Sequence, residues 1–271
     1  MSSVFRLYRT INILSLDVAV GAVVCALFFS RILAVKLSVG DLLALGLSVW
    51  LIYTADHLAD ARKITHEAST PRHRFHQLYS QRLSVCMLIA LSINFILLFF
   101  MRPAVLRMGI FLAIVICTFM VFQKWIPLFK EFSIALFYTA GVLLPAVARI
   151  ATPISTTQYL LIAQFFLVAL MNLLLFSWLD RATDERDGLR SIVSIIGENV
   201  TRTIVWIIAA LQLLLMIVQL NVGELSKASV IVGMMGMILI LILMLRRATS
   251  DGTTYRLLGD AVFLFPILYL L

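Results

Sequence analysis

An all-α polytopic membrane protein, a bundle of about nine transmembrane helices with a cytoplasmic N-terminus, is the fold class that three observations predict. Of 271 residues, 62% are hydrophobic and only 13% are charged, where soluble domains carry roughly a quarter charged residues. The apolar residues gather into runs of about the length that crosses a bilayer. The lysines and arginines fall mainly in alternate connections between those runs, as the positive-inside rule requires.

Taken in order, the runs are 11–34, 38–56, 83–101, 104–122, 132–152, 157–179, 203–221, 228–245 and 257–271. A helix needs about 20 residues to cross the hydrocarbon, so all but the last are long enough. The first follows Arg6 and Arg9 and is expected to stay as a span rather than be cleaved. The last is short, and a tilted or partial span is expected there, with eight helices as the alternative count. With the N-terminus inside, sixteen of the 22 Lys and Arg residues lie on the cytoplasmic side and six on the other. The expected location is a bacterial plasma membrane.

The formal charge of +8 is therefore an orientation signal, and no nucleic-acid partner is expected. Cys25, Cys86 and Cys117 lie in predicted spans without metal-ligand spacing. The chain is expected to be one domain, residues 1–271, with two related halves of about 1–125 and 126–271. The halves are suggested by two acidic elements lying 124 residues, or four spans, apart. No wider repeat accompanies them.

Those elements are Asp56-His57-Leu58-Ala59-Asp60 and Asp180-Arg181-Ala182-Thr183-Asp184. Each ends an apolar run and opens a long cytoplasmic loop, at about 57–82 and 180–202. Aspartates four apart share a helix face and repel unless a positive group lies between them. A divalent cation, or a metal-bound diphosphate, answers that need. Asn172 precedes Asp180 by two turns on the same face, Asp187 extends the acidic stripe, and Gly188 suits a helix terminus. The plainer account is a solvated helix end with local pairs, Asp180 with Arg181 or Asp184 with Arg190.

The first loop adds Arg62, Lys63, Arg72, Arg74 and Arg82, and holds all four histidines, His57, His66, His73 and His76. Their spacing matches no standard zinc pattern. A basic loop touching lipid headgroups and an anion-binding loop are both compatible with these residues. Lys130, with Pro127, Glu131 and Lys124 nearby, forms a third cytoplasmic patch, which alone reads as an interfacial anchor. Together the patches suit a polyanion with an apolar tail.

At these residues the chain resembles the UbiA-type intramembrane prenyltransferases. That family has about nine helices and two cytoplasmic motifs, N-D-x-x-D-x-x-x-D and D-x-x-x-D-x-x-x-G. Asp180, Asp184 and Gly188 match the second, with the common Arg present as Arg181. Asp56 and Asp60 match the last two acids of the first, while Ile52 and Tyr53 replace its Asn-Asp. The family's intervening Y-P-x-x-K-R-x-T and later Gly are in register with Pro127, Lys130, Ser133 and Gly141; Ile126 and Glu131 depart from it.

The resemblance implies magnesium-dependent transfer of a prenyl group from a polyprenyl diphosphate to an aromatic or other lipid-precursor acceptor, within the membrane lipid. It assigns magnesium to Asp180 and Asp184, and a second ion or an assisting role to Asp56 and Asp60. It assigns the diphosphate to Lys130 with Arg62, Arg72 and Arg181, and the substrate cavity to Asn172. Tyr53 would face the diphosphate or a carbocation, and Asp187 would be an extra ligand or a base. The incomplete first motif keeps open a catalytically inactive relative that binds isoprenoids or a partner. A cation transporter would need a relay among Asp17, Asp41, Arg107, Arg149 and Asp260, which mostly fall near span ends.

Overall fold

The computed structural model describes residues 3–189, 191–245 and 254–271. Arg190, Arg246 and Arg247, counted above on the cytoplasmic side, lie outside them, as does any Asp184–Arg190 pair. The side chain of Lys124 is outside the description too. The described residues are helical with no strand. In order the helices are α1 (Ser3–Ile13), α2 (Leu16–Ile32), α3 (Val39–Lys63), α4 (Pro71–Leu78), α5 (Ser80–Leu98), α6 (Pro103–Phe122) and α7 (Lys130–Val147). They continue as α8 (Thr156–Leu179), α9 (Arg181–Asp187), α10 (Ile192–Ile196), α11 (Glu198–Val222), α12 (Ser226–Met244), α13 (Thr254–Ala261) and α14 (Ile267–Leu270).

Among the described residues seven helices, α3, α5, α6, α7 with the turn before it, α8, α11 and α12, are long and apolar enough to cross a membrane. An eighth crossing exists if α1 and α2, bent by 83° at their joint, count as one. The bend sits at Ser15, a buried residue with φ of 55°. A left-handed backbone at a non-glycine costs about 1 kcal/mol or more and persists where the surroundings over-determine it. Here Asn12 and Asp17 on either side join a buried network, with Asn12 Nδ2 donating to Asp17 Oδ2 at 2.6 Å.

The final apolar run is no straight span. It breaks into α13, a 3₁₀ turn at Val262–Leu264, and α14, which starts after Pro266. The broken piece packs against α2 and α12, while Leu258, Ile267 and Leu268 stay exposed on its outer side. Cys25 Sγ donates to the Phe263 carbonyl at 3.2 Å, and Tyr269 meets Phe28 edge-on at 5.2 Å.

α8 is the central pillar, packed by α7, α11 and α12. Leu161, Phe165, Met171 and Leu174 fill its contacts and are almost wholly buried. A carboxamide cluster ties α8 to α11 and α12: Gln164 takes hydrogen bonds from Gln219 and Ser229 and gives one to the Ser229 carbonyl. Such polar contacts join helices where lipid supplies no hydrophobic drive. At the periphery, α5 packs on α3 and α6 on α7, but α5 and α6 hardly touch each other. The space they leave is where the cavity lies.

Candidate active site

The cavity has a volume of about 1450 Å³. Its walls come from α3, α5, α6 and α7, and its polar end from α4, α8, α9 and α13. Along α3 it runs from Asp41 to Asp60, about 28 Å at 1.5 Å per residue. Leu91, Phe95, Ile116, Phe119 and Phe137 give the body its apolar lining. At the far end Asp41 pairs with Arg149 in a buried ion pair between α3 and the turn that follows α7.

At the polar end, α3 continues without interruption past the first acidic element to Lys63. Tyr53, Asp56 and Asp60 therefore recur at helical spacing and line one wall, with His57 beside them. The expected loop at 57–82 is thus mostly helix, and only 64–70 between α3 and α4 is irregular. Asp60 takes Lys63 at 2.6 Å on the more exposed side. Lys130 opens α7 opposite this wall, close enough for its charge to act on both Asp56 and Asp184.

The second element folds differently. α8 stops at Asp180, the chain turns, and α9 carries Asp184 and Asp187 before Gly188 ends it with φ of 71°. Only glycine adopts that conformation freely, and Leu189 N–H closes the turn on the Asp184 carbonyl at 2.8 Å. Each acid then has its own surroundings. Asp180 accepts from the Tyr255 hydroxyl and from Arg256. Asp184 lines the cavity; burial first, and then the charge of Asp180, push its carboxyl up to about 7. Asp187 is buried outside the lining and accepts from the Ser69 N–H at 3.0 and 3.1 Å, with His66 Nε2 at 3.3 Å. Burial raises its carboxyl, but the Ser69 and His66 hydrogen bonds outweigh that and hold it below the usual range. It thereby fastens α9 to the 64–70 segment.

The sequence-predicted residues thus fall into two groups. Tyr53, Asp56, Asp60, Arg72, Lys130, Asn172, Asp180 and Asp184 line one cavity. Arg62, Arg181 and Asp187 do not: Arg62 is exposed, and Arg181 pairs with Glu185 at 2.7 Å on the surface. Arg72 faces the cavity but is already engaged. Its Nη2 donates to Asn12 Oδ1 at 2.9 Å and lies 3.4 Å from Asp260 Oδ2. Asp17 and Asp260, singled out as intramembrane charges, are joined through Asn12, which donates to both.

Sequence reasoning missed Tyr255, Arg256 and Ser69. Arg256 and Asp260 do stand four apart at the head of the last apolar run, a spacing that marks a shared helix face. Among the described residues the histidines join no group of three or more metal-ligating side chains. His57 Nε2 lies 3.5 Å from Arg72, His76 Nδ1 bonds the Arg72 carbonyl at 2.8 Å, and burial followed by the charge of Arg256 lowers His73 to about 4.

Among the described residues, no group of three or more His, Cys, Asp or Glu side chains converges to cage an ion. Magnesium is ordinarily held by one or two carboxylates together with phosphate oxygens and waters. Asp56, Asp60 and Asp184 all line the cavity and do not converge as three, so any one or two of them could serve in that way. The fold and site define a multi-pass membrane protein with an amphipathic cavity, acidic and basic at one end and apolar along its body. No family model matches this chain, and neither a curated protein nor a solved structure does.

Proposed function

We propose that the chain is a UbiA-type intramembrane prenyltransferase that moves a prenyl group from a polyprenyl diphosphate to an aromatic or other lipid-precursor acceptor. One observation carries this reading: a single cavity gathers both acidic elements and Lys130 at one end and continues as an apolar body between α5 and α6. A diphosphate with a long hydrocarbon tail has that division of chemistry. We also place the N-terminus and the aspartate-bearing end in the cytoplasm, and count the bent α1–α2 pair and the broken C-terminal segment as the eighth and ninth membrane elements.

One or two of Asp56, Asp60 and Asp184 would hold a magnesium ion carried by the diphosphate. When bound, that ion would neutralise charge on the departing diphosphate. Lys130 reaches the same oxygens as a point charge and adds to their stabilisation. The bond from the allylic carbon to oxygen breaks, a bond from that carbon to the acceptor forms, and the acceptor loses a proton. Tyr53 and Tyr138, both on the cavity wall, offer aromatic faces to the cationic carbon. The apolar body keeps water from trapping it. Arg72, fixed by Asn12 and Asp260, positions the wall and joins α4 to α13.

One observation favours the inactive isoprenoid-binding relative as second reading: Asp180 is taken up by Arg256 and Tyr255. A single assay separates the two. Purified protein is incubated with magnesium, prenyl diphosphates of several lengths and a panel of hydroxylated aromatic and lipid-precursor acceptors. Diphosphate release that disappears in Asp184→Asn is expected. Binding without release under all conditions would support the inactive relative, and release unaffected in both Asp184→Asn and Asp56→Asn would remove the assigned roles.

A further inference from the structure

Asp180 and Asp184 are four residues apart, yet only one of them offers free lone pairs to the cavity. Both Asp180 oxygens are engaged. Arg256 Nη2 donates to Oδ2, Arg256 Nε lies 3.3 Å from Oδ1, and the Tyr255 hydroxyl donates to Oδ1 as well. A forked guanidinium on a carboxylate occupies the positions a metal ion would need. Asp180 itself is 2% exposed, so little of it is open to the cavity that it borders.

The guanidinium is also fixed in place. It lies over the Phe176 ring at 5.3 Å. Gly259, three residues on in α13, presses against α8: a Cβ there would come within 2.7 Å of Phe176 Cε1 and 2.9 Å of Asn172 Oδ1. α13 is therefore seated closely on α8, which keeps the backbone at Arg256 beside Asp180. Across the cavity, Asp60 already shares its charge with Lys63. Asp56 and Asp184 both line the polar end, and the charges of both act on Lys130.

We infer that Arg256 is a built-in cation standing where a divalent ion would otherwise bind Asp180. The protein then has one ion position, held by Asp184 or the Asp56–Asp60 wall together with the diphosphate, rather than one at each acidic pair. This inference rests on the proposed reading for the presence of the ion.

The test counts ions on the whole protein. Purified full-length chain in detergent is titrated with Mn²⁺, a spectroscopic stand-in for magnesium, in the presence of a non-transferable methylene analogue of a prenyl diphosphate. Free Mn²⁺ is read by electron paramagnetic resonance. One ion per wild-type chain is expected. The Kd should stay within about twofold in the Asp180→Asn, Arg256→Gln double variant and weaken at least about tenfold in Asp184→Asn. Two ions per wild-type chain would overturn the inference alone, as would a double variant that loses the ion as fully as Asp184→Asn does. The wild-type count needs no variant to fold. A wild-type chain that binds neither analogue nor ion would overturn the proposed function and this inference with it.

Discussion

The two acidic elements have the same four-residue spacing but sit on different backbones, and that difference separates their roles. Asp56 and Asp60 belong to the uninterrupted α3, so helix geometry keeps both on the cavity wall. Asp180, Asp184 and Asp187 straddle the end of α8 and the short α9. The break gives each a separate partner: Arg256 and Tyr255 for the first, the open cavity for the second, Ser69 for the third. Identical spacing on a continuous helix makes a pair, and across a break it distributes functions.

The largest effect expected from disturbing this arrangement is on stability. Arg256→Gln leaves Asp180 as a buried carboxylate without its cation, which costs about 3–5 kcal/mol. Thermal or denaturant unfolding in detergent should show it, and adding Asp180→Asn should restore much of the loss. Equal damage from the single and double variants would mean that Arg256 contributes packing rather than charge.

Next comes turnover. Asp184→Asn should lower diphosphate release about a hundredfold, in the range seen when one preorganised electrostatic group is removed. Arg62→Gln and Arg181→Gln, off the cavity, should leave release nearly unchanged. A comparable loss from either would place the diphosphate nearer the surface than the cavity does.

The pH dependence sharpens the same contrast. Burial and Asp180 raise Asp184 to about 7, above the unfolded value of about 3.9. The folded chain thus holds this proton more tightly than the unfolded chain. Its contribution to stability is full below about pH 4 and is lost as pH rises through about 7. Affinity for the magnesium–diphosphate pair should move oppositely and tighten over the same window, because only the carboxylate binds. Asp184→Asn should flatten both profiles.

The smallest effect belongs to Asp187. Asp187→Asn should cost about 1 kcal/mol by weakening the Ser69 contacts. Hydrogen exchange at the Ser69 amide should quicken while amides in α8 keep their protection. Because hydrogen bonds hold the Asp187 carboxyl low, its stabilisation is present above the unfolded pKa and fades as pH falls through the folded one. The variant should lack that acid-side loss.

Much of this was legible in the sequence because hydropathy and helical spacing act locally. Seven of the nine apolar runs are single long helices, and Asp56, Asp60, Lys130, Asn172, Asp180 and Asp184 meet at one cavity. The end of α8 was legible, because the apolar run stops at 179, but the helix break that puts Asp180 and Asp184 on separate helices was not, since neither glycine nor proline marks it. The folding-back of the last run was equally hidden, because a short apolar stretch is equally content against lipid or against α2. Arg256 finds Asp180 across 76 residues, a meeting that only tertiary packing decides. Asp187 looked like a continuation of the acidic stripe, but Gly188 turns the chain and gives that carboxylate to Ser69.

The central claim is that one cavity holds the diphosphate at its aspartate end and the hydrocarbon tail between α5 and α6. The direct measurement is photo-crosslinking with a prenyl diphosphate analogue carrying a diazirine at its tail terminus, followed by peptide mapping. Label is predicted within 91–98 and 106–121, removed by excess unlabelled prenyl diphosphate and reduced in Asp184→Asn. Label confined to α11 and α12, or label that prenyl diphosphate does not displace, would contradict it.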